Sequence, residues 1–392
     1  MCTGISRCWT PRSTRCWRAG MKGLTMSKAL YIMIGGFLGA GKTTAVLQFA
    51  RRFRAEGKRA GLITNDQSFG LVDTAMLSSH GFDVEEIGGG CFCCRFNSLV
   101  EASDNLSRET RPDAFIAEPV GSCTDLRAAV SYPLRRIYGD DFHVAPLSVL
   151  VDPIRAERIL GLETGRTFAP KVLYVYEKQL EEADVIIINK RDVLDEPRLE
   201  RLRQALRARY AQAKLFAVSA RTGDRVAEWF DYVLASANGS QEAPEVDYEI
   251  YAEGEALLGW LNATVNITSS QEFDGNAFLD SLASGLRAAV GDAEIAHLKM
   301  TLSPTNEGND IAVLNLVRTD GTPELSHRLA APVQNAELIL NLRAEDDPER
   351  LWLQTEAVLS TVAAEYGLNA EVGQHEFFRP SKPNPTYRMA TV

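Results

Sequence analysis

Long apolar runs are missing from this 392-residue chain. None approaches the roughly eighteen residues that a membrane helix needs, so a helical membrane protein is excluded. The first 25 residues lack the apolar centre of a secretory signal. An excess of basic charge is absent too. The formal net charge is −10, and residues 1–25 hold five basic side chains (Arg7, Arg12, Arg15, Arg18, Lys22) and no acid, which leaves −15 on the rest. So acidic a body argues against nucleic acid or an anionic membrane as partner. Histidine is scarce: His80, His143, His297, His327 and His375 stand singly and read as ordinary surface or loop residues, not as a metal store. No internal repeat is visible. Of seven cysteines, three fall in the first 25 residues, leaving Cys91, Cys93, Cys94 and Cys123. Three within four residues are not a disulfide framework; they point to metal or redox chemistry.

Length allows two domains at roughly 150–200 residues each. Hydrophobic content of 45% and charged content of 24% are ordinary for a globular chain. Residues 1–27 read as an over-extended gene start, with Met21 or Met26 as initiator, or alternatively as a transit peptide; no ordered structure is expected there. A cytoplasmic location is expected.

The chain is organised around Gly36-Phe37-Leu38-Gly39-Ala40-Gly41-Lys42-Thr43-Thr44. The stretch fits the phosphate-loop pattern, and an apolar run (29–34) precedes it while helical apolar spacing follows through Phe53. Backbone N–H groups of such a loop close around phosphate oxygens at the helix start. Lys42 would reach the β- and γ-phosphates and the Thr43 hydroxyl would ligate Mg²⁺. A second strand, 60–64, ends in Asn65-Asp66, making Asp66 and Asp73 candidate Mg²⁺ carboxylates, with turn or capping chemistry as the alternative. A third apolar strand ends in Glu118, with Gly121 three residues on, a layout for holding Mg²⁺ through water and sensing the γ-phosphate.

Between these lies Gly88-Gly89-Gly90-Cys91-Phe92-Cys93-Cys94-Arg95, leading into an amphipathic helix. Cys91 and Cys93 share a side in extended backbone, and a turn into the helix would bring Cys94 round. Arg95 and the helix start are expected to lower the thiol pKa values. Soft thiolates at this density suit Zn²⁺, with Co²⁺ or Cu⁺ accepted. Cys123 is a candidate fourth ligand or an inert buried thiol. Downstream, Asn189-Lys190-Arg191-Asp192 follows a buried strand. A carboxylate there can accept two hydrogen bonds from guanine, which adenine cannot offer, so the nucleotide is GTP. Ser219 and Ala220 would form the loop beside the base. Residues 236–248 read as a linker. Beyond it, strands near 255–268, 293–302, 310–318, 335–344 and 369–378 with helices near 275–290 and 347–366 predict one antiparallel sheet under two helices. Residues 380–392 are expected to be a loose tail.

Together the phosphate loop, Gly89-Gly90-Cys91-Phe92-Cys93-Cys94, Gln179-Leu180 with Ala183-Asp184, and Asn189-Lys190-Arg191-Asp192 resemble the CobW-type GTPases, relatives of UreG and HypB. The resemblance covers roughly residues 29–235 in detail and implies an α/β fold: a P-loop NTPase domain with a mainly parallel sheet flanked by helices, plus a smaller α+β C-terminal domain. It further implies a GTP-hydrolysing metallochaperone with Lys42, Thr43 and Glu118 as catalytic residues. The nucleotide site would comprise Gly36, Gly39, Ala40, Gly41, Lys42, Thr43, Thr44, Gly121, Asn189, Lys190, Asp192, Ser219 and Ala220. Mg²⁺ would sit at Thr43, Asp66 and Glu118, and Zn²⁺ at Cys91, Cys93 and Cys94. A client metalloprotein is the implied partner, and a homodimer is compatible with it. Two positions depart from the family: Asp66 stands where glutamate is common, and Pro119-Val120 where Thr-Thr or Ser-Thr is. The client is therefore open. A metal-sensing switch, an assistant to cobalamin or corrinoid metabolism, and a redox enzyme using Cys93 and Cys94 are the competing readings. No residue stands out as positioning a water, so slow hydrolysis is expected.

Overall fold

A computed structural model describes residues 28–67, 72–236, 242–305 and 310–391; the N-terminal segment 1–27 lies outside them. Eight parallel strands form the first sheet: β1 (Ala29–Gly36), β2 (Ala60–Asn65), β3 (Val84–Ile87), β4 (Ala114–Glu118), β5 (Phe142–Val144), β6 (Ser148–Val151), β7 (Val185–Ile188) and β8 (Lys214–Ala217). Their order is β3-β2-β4-β1-β6-β7-β8, with β5 pairing beside β1. Strands covered by helices on both faces are apolar throughout, as Ile32 to Ile34 and Ile186 to Ile188 are. The order reverses beside β1, so the carboxyl ends of β1, β4 and β6 open a crevice there, the usual ligand position in such sheets.

Six antiparallel strands make the second sheet: β9 (Gly259–Phe273), β10 (Ile295–Pro304), β11 (Ala312–Leu316), β12 (Glu324–His327), β13 (Val333–Ala344) and β14 (Asn369–Phe378), in the order β12-β11-β10-β13-β9-β14. Helices Gly275–Val290 and Pro348–Glu365 cover one face through Leu298, Met300, Leu338, Leu340 and Leu342. Alternate residues on the same strands point the other way, and there the sheet is polar: Asn262, His297, Lys299, Asn341 and Arg343 face the first domain. His297, read as a surface or loop histidine, is instead buried on β10. No helix among the described residues is long and apolar enough to cross a membrane.

Two expectations change. Residues 248–256, where the expected linker ends and a strand is expected to begin near 255 with no element between, form helix Tyr248–Ala256, because Asp247 caps it by accepting from the N–H groups of Glu249 and Ile250. The tail is not loose: Thr386 N–H donates to Cys93 O at 2.8 Å, Met389 N–H to Ala128 O at 3.0 Å, and Arg388 pairs with Asp125 at 2.8 Å. Pro380, Pro383 and Pro385 have no N–H to extend the sheet beyond β14. Beyond β14, the N–H groups of Asn384 and Thr386 donate instead to the cysteine loop.

Arg155 pins the two domains. Its buried guanidinium donates to Leu38 O at 2.7 Å in the phosphate loop, and to Ile295 O at 3.2 Å and Val317 O across the interface. Replacing it with methionine keeps the bulk and leaves these carbonyls unpaired, each at about 1–3 kcal/mol. Urea unfolding of Arg155→Met should therefore show a loss of about 3 kcal/mol or more, or two separated transitions where the wild type shows one.

Candidate nucleotide and metal site

The phosphate loop is shaped by glycines that no other residue could replace. Gly36 has φ 129°, and a Cβ there would lie 2.4 Å from Leu150 O; Gly41 has φ 91°, and its Cβ would lie 2.4 Å from Asn189 Nδ2. Helix Lys42–Ala55 starts directly after Gly41 and aims its first N–H groups into a cavity of about 150 Å³. Gly39, Lys42, Thr43, Thr44, Glu118 and Asp192 all line that cavity. Asn189 clamps loop to loop: its Nδ2 donates to Ala40 O at 2.8 Å, and its Oδ1 accepts from Ala220 N–H at 2.9 Å. Lys190, in the left-handed region, donates to Gly39 O at 2.7 Å and to Asp152 at 2.9 Å. Asp152 is pushed up by burial, but Lys190, Arg318 and Arg155 hold it well below the usual carboxylate range. Ser219 accepts from Thr222 N–H at 3.3 Å, shaping the loop beside the base side. Gly121 fits because a Cβ would strike Leu38 at 2.6 Å.

At the phosphate end, the Thr43 hydroxyl lies 2.5 Å from Asp73 Oδ1 and 3.0 Å from Glu118 Oε1, and Lys42 Nζ is 3.9 Å from Glu118. Burial, then the charge of Asp73, raises Glu118 to about 7. Its Oε2 is buried without a hydrogen-bond partner. Asp66 is oriented differently from the expectation: its carboxylate meets Arg343 Nη2 at 3.2 Å, so Asp73 is the acid that touches Thr43.

The cysteine loop follows β3. Cys94 and Arg95 N–H groups both donate to Cys91 O, at 3.0 and 2.9 Å, and this turn brings the third thiol round. The sulfur atoms of Cys91, Cys93 and Cys94 lie within 4.8 Å of one another. Asn65 at the end of β2 staples the loop, donating to Ile87 O and Gly90 O at 2.8 Å each and accepting from Phe92 N–H at 2.9 Å. Cys123 is buried beside the cluster, near enough to shift the titration of Cys91 and Cys93. The expected general lowering of thiol pKa does not occur. Hydrogen bonds from Cys123, Cys93 and Cys94 hold Cys91 well below its ordinary value, while Cys93 is raised and Cys94 is pushed up to about 11. A buried thiol cluster without a cation stabilises one negative charge, and each further one is repelled. Asn384 N–H reaches Cys94 Sγ at 3.2 Å, so the tail lies directly over the cluster.

Sequence reasoning missed Lys299, Asn341 and Arg343. Their signal was the strict alternation Ala-His-Leu-Lys-Met-Thr-Leu (296–302) and Leu-Asn-Leu-Arg (340–343), which places polar side chains on one face of a well-packed sheet. It also missed Glu182, buried behind the Cys123 loop, where it accepts from Thr124 Oγ1 at 3.1 Å and from Arg127 N–H at 2.8 Å. Burial raises Glu182 to about 8. A carboxyl with a raised folded pKa contributes stability that is complete below its unfolded value and is lost as pH rises through about 8. Unfolding free energy should thus fall by up to about 1.4 kcal/mol per pH unit between pH 5 and 8 on account of this one group. The difference in slope between wild type and Glu182→Gln in urea titrations measures it.

Residues 30–217 match the CobW/HypB/UreG nucleotide-binding domain. The zinc chaperone CobW of Sinorhizobium sp is 28% identical over 211 residues, which are 49% of this chain and 59% of that protein. The zinc chaperone YeiR of Escherichia coli (strain K12) is 30% identical over 41% of this chain and 46% of its own length. The chain thus matches about half the length of these relatives. Among solved structures, the Zn(II)-bound YjiA GTPase from E. coli aligns over 87% of this chain and 99% of its own at 16% identity, with a TM-score of 0.38. Through residues 30–217, then, this chain is similar to the nucleotide-binding domain of the CobW/HypB/UreG family.

Proposed function

We propose that this protein is a GTP-hydrolysing metallochaperone, carrying Zn²⁺ or a similar ion such as Co²⁺ as cargo at Cys91, Cys93 and Cys94 and releasing it to a client metalloprotein under control of the nucleotide. One observation carries the reading. Asn65 fastens the three-thiol loop, and its neighbour Asp66 belongs to the segment that enters the phosphate end of the cavity at Asp73. A change felt at Asp73 therefore has a route to the thiols, along the chain to Asn65 and then through the hydrogen bonds of its side chain. The names of the curated relatives support zinc as the cargo.

Thr43, Asp73 and Glu118 offer a hydroxyl and two carboxylates, one with an unpartnered buried oxygen, and this set of hard donors fits Mg²⁺. Mg²⁺ bound there would neutralise triphosphate charge. The chain does the rest: loop N–H groups and Lys42 hold the phosphates, and Asn189 fixes the phosphate loop against the base-side loop. Asp192 would accept from guanine, and Gly121 with Glu118 would respond to the γ-phosphate. Loss of that phosphate would relax Asp73, and with it the hold of Asn65 on the thiol loop.

Calorimetry with GTP, ATP and xanthosine triphosphate tests the nucleotide reading. Asp192→Asn should weaken GTP by about 100-fold or more, since two charge-assisted hydrogen bonds are lost, and should favour the xanthosine nucleotide, whose extra oxygen needs a donor. Equal affinity of the wild type for ATP and GTP would overturn it.

A further inference from the structure

The polar face of the second sheet does not merely lie near the nucleotide cavity; it closes one wall of it. His297, Lys299, Asn315 and Val317 line the same cavity as Lys42 and Thr43. Lys299 makes the closest approach. Its Nζ lies 2.6 and 2.8 Å from the two oxygens of Asp73, and the oxygen at 2.6 Å is the one that Thr43 Oγ1 contacts at 2.5 Å. A single carboxylate oxygen thus bridges the phosphate loop's hydroxyl and a lysine of the other domain.

We propose that Lys299 is a phosphate-binding residue of the nucleotide site, supplied by the second domain, which exchanges Asp73 for the terminal phosphate when a nucleoside triphosphate binds. The inference rests on the GTP reading above. Charge balance supplies its reason. Without nucleotide, Asp73 and Glu118 face Lys42 and Lys299, and the two pairs offset one another. A triphosphate carries more negative charge than one Mg²⁺ offsets, and a metal held at Thr43 by Asp73 would engage the carboxylate that now faces Lys299. Lys299 would then keep its ammonium in a half-buried wall with its former partner engaged elsewhere, and an unpaired charge so placed is costly. The nearest new acceptor is the phosphate group that Mg²⁺ and Lys42 hold, and the γ-phosphate is the one at the acid end of the cavity. A diphosphate leaves that position empty, and Lys299 returns to Asp73.

The neighbouring strand gives the exchange a consequence. On β13, Asn341 accepts from Val72 N–H at 3.1 Å and Arg343 pairs with Asp66 at 3.2 Å, so the same sheet grips both ends of segment 66–72. Asn65, next to Asp66, holds the cysteine loop. A small movement of the sheet toward the phosphate would draw on Asp66 through Arg343, and through the adjoining Asn65 on the thiol loop.

The test compares a non-hydrolysable GTP analogue with GDP, each with Mg²⁺, by calorimetry on the full chain. Lys299→Met should weaken the triphosphate analogue by about 10- to 100-fold, as expected for one charge-assisted hydrogen bond, and leave GDP within about twofold. Lys299→Arg should recover most of the lost affinity. Because Lys299→Met removes the cation beside Asp73, Lys299→Gln, which keeps a donor for Asp73 but no charge, is measured alongside it and should show the same loss of triphosphate preference. Equal weakening of both nucleotides, or no weakening of either, would overturn the assignment while leaving the GTP reading intact. Failure of the wild type to bind either nucleotide would instead overturn the GTP reading, and this inference with it.

Discussion

Lys42→Ala is expected to lower the rate of GTP hydrolysis by about 100- to 1,000-fold, the usual cost of removing one preorganised charge from a transition state. Lys42 is buried at the start of its helix, 3.9 Å from Glu118, and burial pushes its pKa down while Glu118 supports it. It is held in place by surroundings that exclude water, where its charge acts at greatest strength. Zn²⁺ uptake should not change, because none of the contacts that shape the thiol loop involves Lys42. Phosphate release assays and Zn²⁺ titration on the same preparation separate the two. Hydrolysis at the wild-type rate would mean that the phosphates lie elsewhere.

The second large effect belongs to the thiols. Cys93→Ser should reduce Zn²⁺ affinity by about 100-fold or more, since roughly 3 kcal/mol is one ligand's share of the binding energy of a four-ligand zinc site, and serine stays protonated. Cys91→Ser should cost at least as much, because Cys91 is the thiol whose neighbours hold it toward thiolate. In the wild type, affinity should fall as pH drops, since Cys93 and Cys94 must release protons to bind and both are raised above the ordinary thiol value. Cys123→Ala separates the two roles open to that residue: a fourth ligand would cost as much as Cys93, a packing thiol far less. Titration against a chromophoric chelator measures all four. Undiminished Zn²⁺ binding by Cys93→Ser would remove the cluster from the cargo site.

Local patterns in the sequence carried most of the first domain. Gly36 to Thr44 and Asn189 to Asp192 are contiguous, and their chemistry depends on backbone that their own glycines and flanking strands dictate. The cysteine loop was legible for the same reason. What escaped notice came from pairings distant in sequence. Lys299 meets Asp73 across 226 residues and Arg343 meets Asp66 across 277, and neither pairing leaves a local mark beyond strand alternation. Asp66 and Asp73 were both legible as acids near the metal, but only the packing of β10 and β13 decides which of them reaches Thr43. The tail misled because prolines suggest a loose chain, whereas here they leave a few N–H groups free to dock on the thiol loop. The thiol pKa values failed because a helix start and one arginine are weaker than the mutual influence of three buried thiols and the half-buried Cys94.

The most direct measurement is Zn²⁺ affinity in two nucleotide states. Competition with a chromophoric chelator is run on the wild type with GDP and with a non-hydrolysable GTP analogue, Mg²⁺ present in both, and Cys93→Ser serves as the control. A nucleotide-controlled cargo site requires the two affinities to differ by about 1–3 kcal/mol, the ordinary size of a coupling between sites, with an equal effect of Zn²⁺ on the preference for GTP over GDP. Identical Zn²⁺ affinity in both states would contradict it, leaving a nucleotide-binding protein that holds a metal without controlling it.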